Sequence, residues 1–375
     1  MQYYALFIPL LLSVLLAMYI IPRILVVSVK KDLTLPPRLS DKGRRSVPRL
    51  GGVSLFPILV ISVGLAIVFC MFEDWDLLLI GKPESSFVQY LVTLAGLTTM
   101  YLLGVMDDLI GVSLVSKLVI EFLAAALIPL SGLWLQDFHG LLGIYELPYI
   151  IGLPTTILTV MFITNCVPML DDVDGLASGM AMIAFTVLGF LAWYAEEPFL
   201  LMVCAAMVGM LFPFFFRNVM GWRIGWRNIY LGDTGGLTIG YMLSFVVIAL
   251  SRLGGSKLPD GIIMVCFGTL LIPGFDVLRV VVMRTVNHRS IFQRDNNHIH
   301  HRLMMGGMGP VGVLVTLMAV SAFFILFNVL GVWLDWNLSL LLVGDVICWL
   351  GLQVVISYYK NKNRDLELIE PTCTK

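Results

Sequence analysis

Residues 3–29 read YYALFIPLLLSVLLAMYIIPRILVVSV, and residues 30–49 after them read KKDLTLPPRLSDKGRRSVPR. The first stretch carries a single charge, Arg23. It is long enough to cross a hydrocarbon core of about 30 Å as a helix. The second stretch carries Lys30, Lys31, Arg38, Lys42, Arg44, Arg45 and Arg49. An apolar run that ends on a dense basic loop predicts a membrane-spanning helix whose far end lies on the cytoplasmic side. The N-terminal MQYYALFIPL has no basic leader, so this run is expected to be kept as a first helix rather than removed.

The pattern repeats along the chain. Apolar runs at 3–29, 50–72, 87–106, 112–134, 150–167, 176–195, 198–216, 231–251, 261–284, 310–331 and 337–358 predict eleven spans. With the N-terminus outside, the inside segments and the adjoining Arg284 hold 18 of the 24 Lys and Arg residues. The outside segments hold only Lys82, Arg252 and Lys257, beside acids such as Glu73, Asp74, Asp76, Glu84, Glu196 and Glu197. This asymmetry predicts a cytoplasmic C-terminus. The expected fold is an all-α polytopic bundle, with one transmembrane catalytic domain over 1–358 and a short cytoplasmic tail over 359–375. Residues 135–148, LQDFHGLLGIYELP, fit either a hairpin or a surface helix.

Composition agrees. The chain of 375 residues is 59% hydrophobic and 13% charged, with mean hydropathy +0.92. Soluble domains are about 25% charged. No period-two alternation suggests a β-barrel. The net charge of -1 gives no field for nucleic acid. Cys70, Cys166, Cys204, Cys266 and Cys348 lie in or beside apolar runs and Cys373 lies in the polar tail, so neither a disulfide framework nor a CxxC metal motif is present.

Four groups of acids and histidines near span ends stand on the predicted cytoplasmic side. These are Asp107 and Asp108 in GVMDDLIG, Asp171, Asp172 and Asp174 in NCVPMLDDVDGLASG, Asp233 in YLGDTGG, and His298, His300 and His301 in DNNHIHHRL. Each alone is weak, since an aspartate at a helix end is commonly a cap. Together, beside membrane spans, they mark function. Carboxylates at these positions suit magnesium-assisted phosphoryl transfer, because that ion takes one or two carboxylates plus substrate phosphates. Asp171 and Asp174 would share a face if their segment were helical. Asp233 opens a span, where Gly232, Gly235 and Gly236 would let backbone amides approach a pyrophosphate, although such glycines equally suit helix packing. The histidines lack an HExxH arrangement and cysteine partners, so with Arg289, Arg294 and Arg302 they read as donors to phosphates or hydroxyls rather than a closed zinc site. Arg44 and Arg45 are expected to face anionic headgroups and the acceptor phosphate, or to serve topology alone.

These motifs resemble those of the polyprenyl-phosphate N-acetylhexosamine-1-phosphate transferases, the glycosyltransferase 4 family of WecA, TagO and MraY. The resemblance runs from about Lys30 to Met305, through SVPRLGG, GVMDDL, the segment Asn165–Gly179, YLGDTGG and HIHH. It implies a bundle of ten or eleven spans in the bacterial inner membrane, with the active site facing the cytoplasm. It also implies transfer of an amino-sugar-1-phosphate from a UDP-sugar to undecaprenyl (polyprenyl) phosphate, with release of UMP. Magnesium, or manganese in its place, is the implied cofactor. Asp107 and Asp108 match the family's aspartate pair, Asp233 its metal-binding aspartate and Lys117 its basic residue nine positions after the pair. Asp171 and Asp174 are then catalytic candidates, with Asp171 beside Asp233 at the metal. Asn165, Gly232, Gly235 and the three histidines join the substrate site. The HIHH form resembles the WecA and TagO branch, which implies a UDP-N-acetylglucosamine-like donor. Membrane lipids are further partners, and a homodimer is allowed for.

Three positions depart from the family pattern. Pro168 stands at its second asparagine, Asp172 at its first glycine and Glu121 at a common glutamine. A transporter with charges deep in broken spans, an inactive family member and a different UDP-N-acetylhexosamine donor remain as alternatives. Asp276 in LIPGFDVLRV is one of the deeper charges, in reach of Arg279 three residues on.

Overall fold

The computed structural model describes residues 7–35, 47–48, 50–72, 84–221, 228–290 and 297–369. Arg44, Arg45 and Arg294 lie outside them. The elements run α1 (Ile8–Lys30), β1 (Thr34–Leu35), β2 (Val47–Pro48), α2 (Leu55–Phe72), α3 (Glu84–Ile110), α4 (Leu114–Leu130), β3 (Asp137–Leu141), β4 (Ile144–Glu146), α5 (Tyr149–Cys166), α6 (Leu176–Tyr194), α7 (Pro198–Met220), α8 (Gly232–Ser251), α9 (Ile262–Gly268), α10 (Leu271–Val286), α11 (Ile299–Met305), α12 (Pro310–Trp333) and α13 (Leu338–Ile369). Among the described residues, nine helices are long and apolar enough to cross a membrane, or ten if α9 and α10 count as one. The helix α4, with 17 residues, falls just short of that length.

Local chemistry explains several ends. Pro198 and Pro310 open α7 and α12, where a missing N–H costs nothing. The Ser113 hydroxyl accepts the Ser116 N–H at 3.2 Å and caps α4. Segment 135–148 is the hairpin of the two options: β3 pairs antiparallel with β4 around a turn in which Leu142 and Gly143 have positive φ.

One expected span is bent, and one helix runs long. The run 261–284 is bent by 71° between α9 and α10. Pro273 sits in the first turn of α10, and its ring nitrogen cannot donate back to continue a ladder from α9. Past residue 358, α13 continues as helix to Ile369. No glycine or proline interrupts residues 352–370, so the helix meets no breaker there.

The most enclosed helix is α8, buried along almost its whole length and packed against α3, α5, α6 and α9. At the periphery, α1 and α13 expose Leu11, Leu15, Leu340 and Val354. In a bilayer, close packing holds helices together better than burial does, and small residues permit it. A Cβ on Gly240 would meet the Thr164 backbone of α5 at 2.7 Å. One on Gly104 of α3 would collide with the Thr234 backbone of α8. That contact fixes the end of α3 beside the start of α8, which builds the site.

Candidate active site

One end of the bundle gathers the ends of α3, α5, α7 and α10, the starts of α4, α6 and α8, and α11. Asp107 and Asp108 lie one turn beyond Gly104, so the close approach of α3 to α8 delivers both to the N-terminus of α8. Their roles then diverge. Asp108 is 8% exposed. It accepts the Asp233 N–H at 3.0 Å, the Thr234 N–H at 2.9 Å and the Thr234 hydroxyl at 2.6 Å. It caps α8 from another helix, complementing the positive end of the helix dipole.

Asp107 turns the other way. One oxygen accepts the Val112 N–H at 2.9 Å, and the other meets the Lys117 ammonium at 2.8 Å. That ammonium also reaches Asp233 at 3.1 Å. Lys117 therefore ties α3, α4 and α8 at one point. These three side chains are 14–21% exposed, so the charges are shielded yet still open to a ligand. One turn further along α4, the fully buried Glu121 accepts the Asn165 amide at 2.7 Å. The expected substrate contact of Asn165 is thus partly committed to joining α5 and α4, since its amide also reaches the Met161 carbonyl at 2.9 Å.

The segment between α5 and α6 is not a helix carrying Asp171 and Asp174 on one face. It is a 3-10 turn, Pro168–Leu170, followed by further turns to Gly175 at φ +83°. Asp171 accepts the Gly232 N–H at 3.3 Å, and Asp174 accepts the Asn228 amide at 3.1 Å. Asn218 secures the base of this segment, accepting from the Gly175 N–H and donating to the Ile229 carbonyl at 2.6 Å.

This wiring corrects the expectation for the glycine-rich motif. The amides of Gly232, Asp233 and Thr234 are taken by Asp171 and Asp108 and do not wait for a pyrophosphate. Gly235 and Gly236 serve packing. A Cβ on Gly235 would meet Gly52 Cα at 2.9 Å, and one on Gly236 would meet the Pro168 ring at 2.7 Å. Pro168 thus fits against α8. The basic loop also joins here through its described end: the Tyr230 N–H donates to the Pro48 carbonyl at 3.0 Å, and the Gly51 N–H donates to the Tyr230 carbonyl at 3.1 Å.

The histidine tetrad is anchored separately. Asp276 of α10 accepts Arg279 at 2.8 Å, lies 2.9 Å from His298 Nδ1 and accepts the Ile299 N–H at 3.0 Å. Arg302 bonds Gln353, and reaches Ser357 at 2.6 Å, which locks α11 to α13. Between these anchors, His300 and His301 each present Nε2 at 3.5 Å from Asp172 Oδ2. Burial lowers the His300 pKa from the ordinary imidazole range, partly offset by Asp172, so the ring is held neutral. Asp172 and Asp276 are site residues that sequence reasoning did not assign. Adjacency to Asp171 was a signal for the first, and a carboxylate deep in an apolar run, three residues before Arg279, was a signal for the second.

Known proteins resemble this chain in sequence. Residues 90–251 match the sequence model described as glycosyl transferase family 4. They contain Asp107, Asp108, Lys117, Asn165, Asp171, Asp174 and Asp233, and end before the tetrad. The chain is 24% identical over 311 residues to an undecaprenyl-phosphate alpha-N-acetylglucosaminyl 1-phosphate transferase of Yersinia pestis, covering 81% of this chain and 78% of that one. It is 28% identical over 304 residues to a probable undecaprenyl-phosphate N-acetylglucosaminyl 1-phosphate transferase of Bacillus subtilis, covering 80% and 77%. The corresponding Escherichia coli K12 protein is 24% identical over 301 residues, covering 78% and 75%.

Proposed function

We propose that this protein transfers N-acetylglucosamine-1-phosphate from UDP-N-acetylglucosamine to undecaprenyl phosphate, releasing UMP. The observation that carries the reading is the Lys117 ammonium between Asp107 and Asp233, at the start of the central helix. The named activity of the similar proteins supports it.

The reaction brings two anions together. An oxygen of the acceptor phosphate bonds to the β-phosphorus of the donor, the bond from that phosphorus to the bridging oxygen breaks, and UMP leaves with the electron pair. Positioning and charge stabilisation matter more here than a strong base. Asp233 and Asp171 would hold magnesium or manganese, since carboxylate oxygens suit the hard ion that binds alongside substrate phosphates. Such an ion supplies neutralisation of the pyrophosphate charge. Lys117 orients phosphate oxygens and holds Asp107 and Asp233 in place. Asp107 faces the acceptor phosphate. Asp108 is a positioning residue that fixes the start of α8 and, through it, Asp233. Asp174 holds the same loop through Asn228.

In this reading the cluster end faces the cytoplasm of a bacterial inner membrane, where most of the Lys and Arg residues lie. The nine long helices, the bent α9–α10 pair and the short α4 then make eleven crossings. The transporter alternative needs unpaired deep charges and breaks in paired halves. Among the described residues there is one broken span, and Asp276, Lys117 and Glu121 are each partnered.

The test is UMP release by the purified protein with undecaprenyl phosphate, magnesium and a panel of UDP-sugars. UMP should appear fastest with UDP-N-acetylglucosamine and depend on the lipid. Release with a different UDP-N-acetylhexosamine alone would move the donor assignment, and no release with any donor would overturn the activity.

A further inference from the structure

The cluster around Lys117 accounts for every carboxylate group of the sequence motifs except Asp172, and the tetrad leaves His300 and His301 unexplained. We propose that Asp172, His300 and His301 form a site for a divalent transition-metal ion of the zinc class, separate from the hard-oxygen cluster at Asp233.

Geometry is the first support. The three donor atoms lie within 4.8 Å of one another, and Asp172 Oδ2 is 3.5 Å from each Nε2. With metal–ligand bonds of about 2.0–2.1 Å, neighbouring ligands on a tetrahedron stand about 3.3 Å apart. Both Asp172 contacts are within a few tenths of an ångström of that spacing, and an ion would draw the two imidazoles in around the carboxylate.

The second support is independent. His300 is fully buried, yet both of its ring nitrogens lack a hydrogen-bond partner. A buried polar group without a partner is costly and calls for a ligand. The surroundings prepare the geometry. Asp276 fixes the residue before the pair, Arg302 fixes the residue after it, and the His300 and His301 rings sit 4.2 Å apart at 52°.

Imidazole nitrogens select zinc-type ions over magnesium, whereas the oxygen donors near Lys117 select the reverse. The Asp172 side chain is 48% exposed, so the centre opens to solvent and keeps coordination positions for water or a ligand oxygen. It is therefore not the closed, cysteine-bearing structural zinc site that the sequence argued against.

The test uses tag-free, full-length protein in detergent, titrated with cobalt(II) chloride and followed by visible absorption. Wild type should take up one ion per chain with intense d–d bands that millimolar magnesium does not displace. Asp172→Asn and His301→Gln should each weaken binding by about tenfold or more. Asp172 is exposed, so its variant tests the ligand without disturbing the core, and unchanged thermal unfolding of the apo-protein checks this. Asp233→Asn should keep the bands, which separates this centre from the proposed magnesium site and from the transferase reading. No bands in wild type, displacement by magnesium, or bands that survive either ligand substitution would overturn the assignment.

Discussion

Both ends of the bundle hold a lysine–carboxylate pair at 2.8 Å, and the two pairs stand in different settings. Lys117 lies between Asp107 and Asp233, ties three helices and is 17% exposed. Lys257 meets Glu197 across the opposite end, with its side chain 44% exposed. Around Lys117, Asp108 holds the start of α8 and Asp171 holds Gly232. Around Lys257 lie the β3–β4 hairpin and turns such as that of Arg252, which donates to the Gly132 carbonyl at 3.0 Å. An ion pair by itself says little about function. Convergence of several elements on one charge, away from bulk water, says much more.

Five substitutions probe this contrast. Asp233→Asn should have the largest effect, lowering UMP release by about 10³-fold or more, because it removes charge stabilisation where the transferring phosphorus must sit. Retained turnover would place the chemistry elsewhere. Lys117→Met should follow, with a loss of about 10²-fold. Steady-state kinetics would show it mainly in kcat/KM for the UDP-sugar, and an unchanged value would reduce Lys117 to a structural strut.

Asp108→Asn separates the neighbouring acids. An amide cannot accept all three bonds that Asp108 accepts, so this variant should lose about 1–3 kcal/mol of stability. Asp107→Asn should leave the thermal unfolding midpoint nearly in place while lowering turnover. Equal shifts in the midpoint for both would remove the distinction drawn here. Lys257→Met at the far end should change stability by no more than about 1 kcal/mol, with UMP release as in wild type. A large loss of turnover there would mean that the two ends are coupled.

The sequence made the spans legible because a bilayer demands long apolar runs, which a one-dimensional reading detects. The Asp107–Lys117 relation was also accessible, since the two residues lie across one short connection. Other features depend on partners distant in sequence. The cap that Asp108 places on α8 joins residues 126 positions apart. The anchor from Asp276 to His298 joins residues 22 positions apart, and hydropathy does not register the bend before α10, because the residues on both sides of Pro273 are equally apolar. The glycines of YLGDTGG were open to two readings, and the nearness of Gly52 and Pro168, far away in the chain, settles Gly235 and Gly236 for packing. Departures from a family pattern were informative in the same way. Pro168 fits the surface of α8, and Asp172 faces two histidines.

Whether the sugar moves together with its phosphate is the claim on which the account rests, and one labelling experiment addresses it. Purified protein in detergent should be given UDP-N-acetylglucosamine radiolabelled at its β-phosphate, with undecaprenyl phosphate and magnesium. The account predicts that the label enters the lipid fraction while the nucleotide product is unlabelled UMP. Label retained in water-soluble UDP, with sugar alone on the lipid, or no labelled lipid at all, would contradict it.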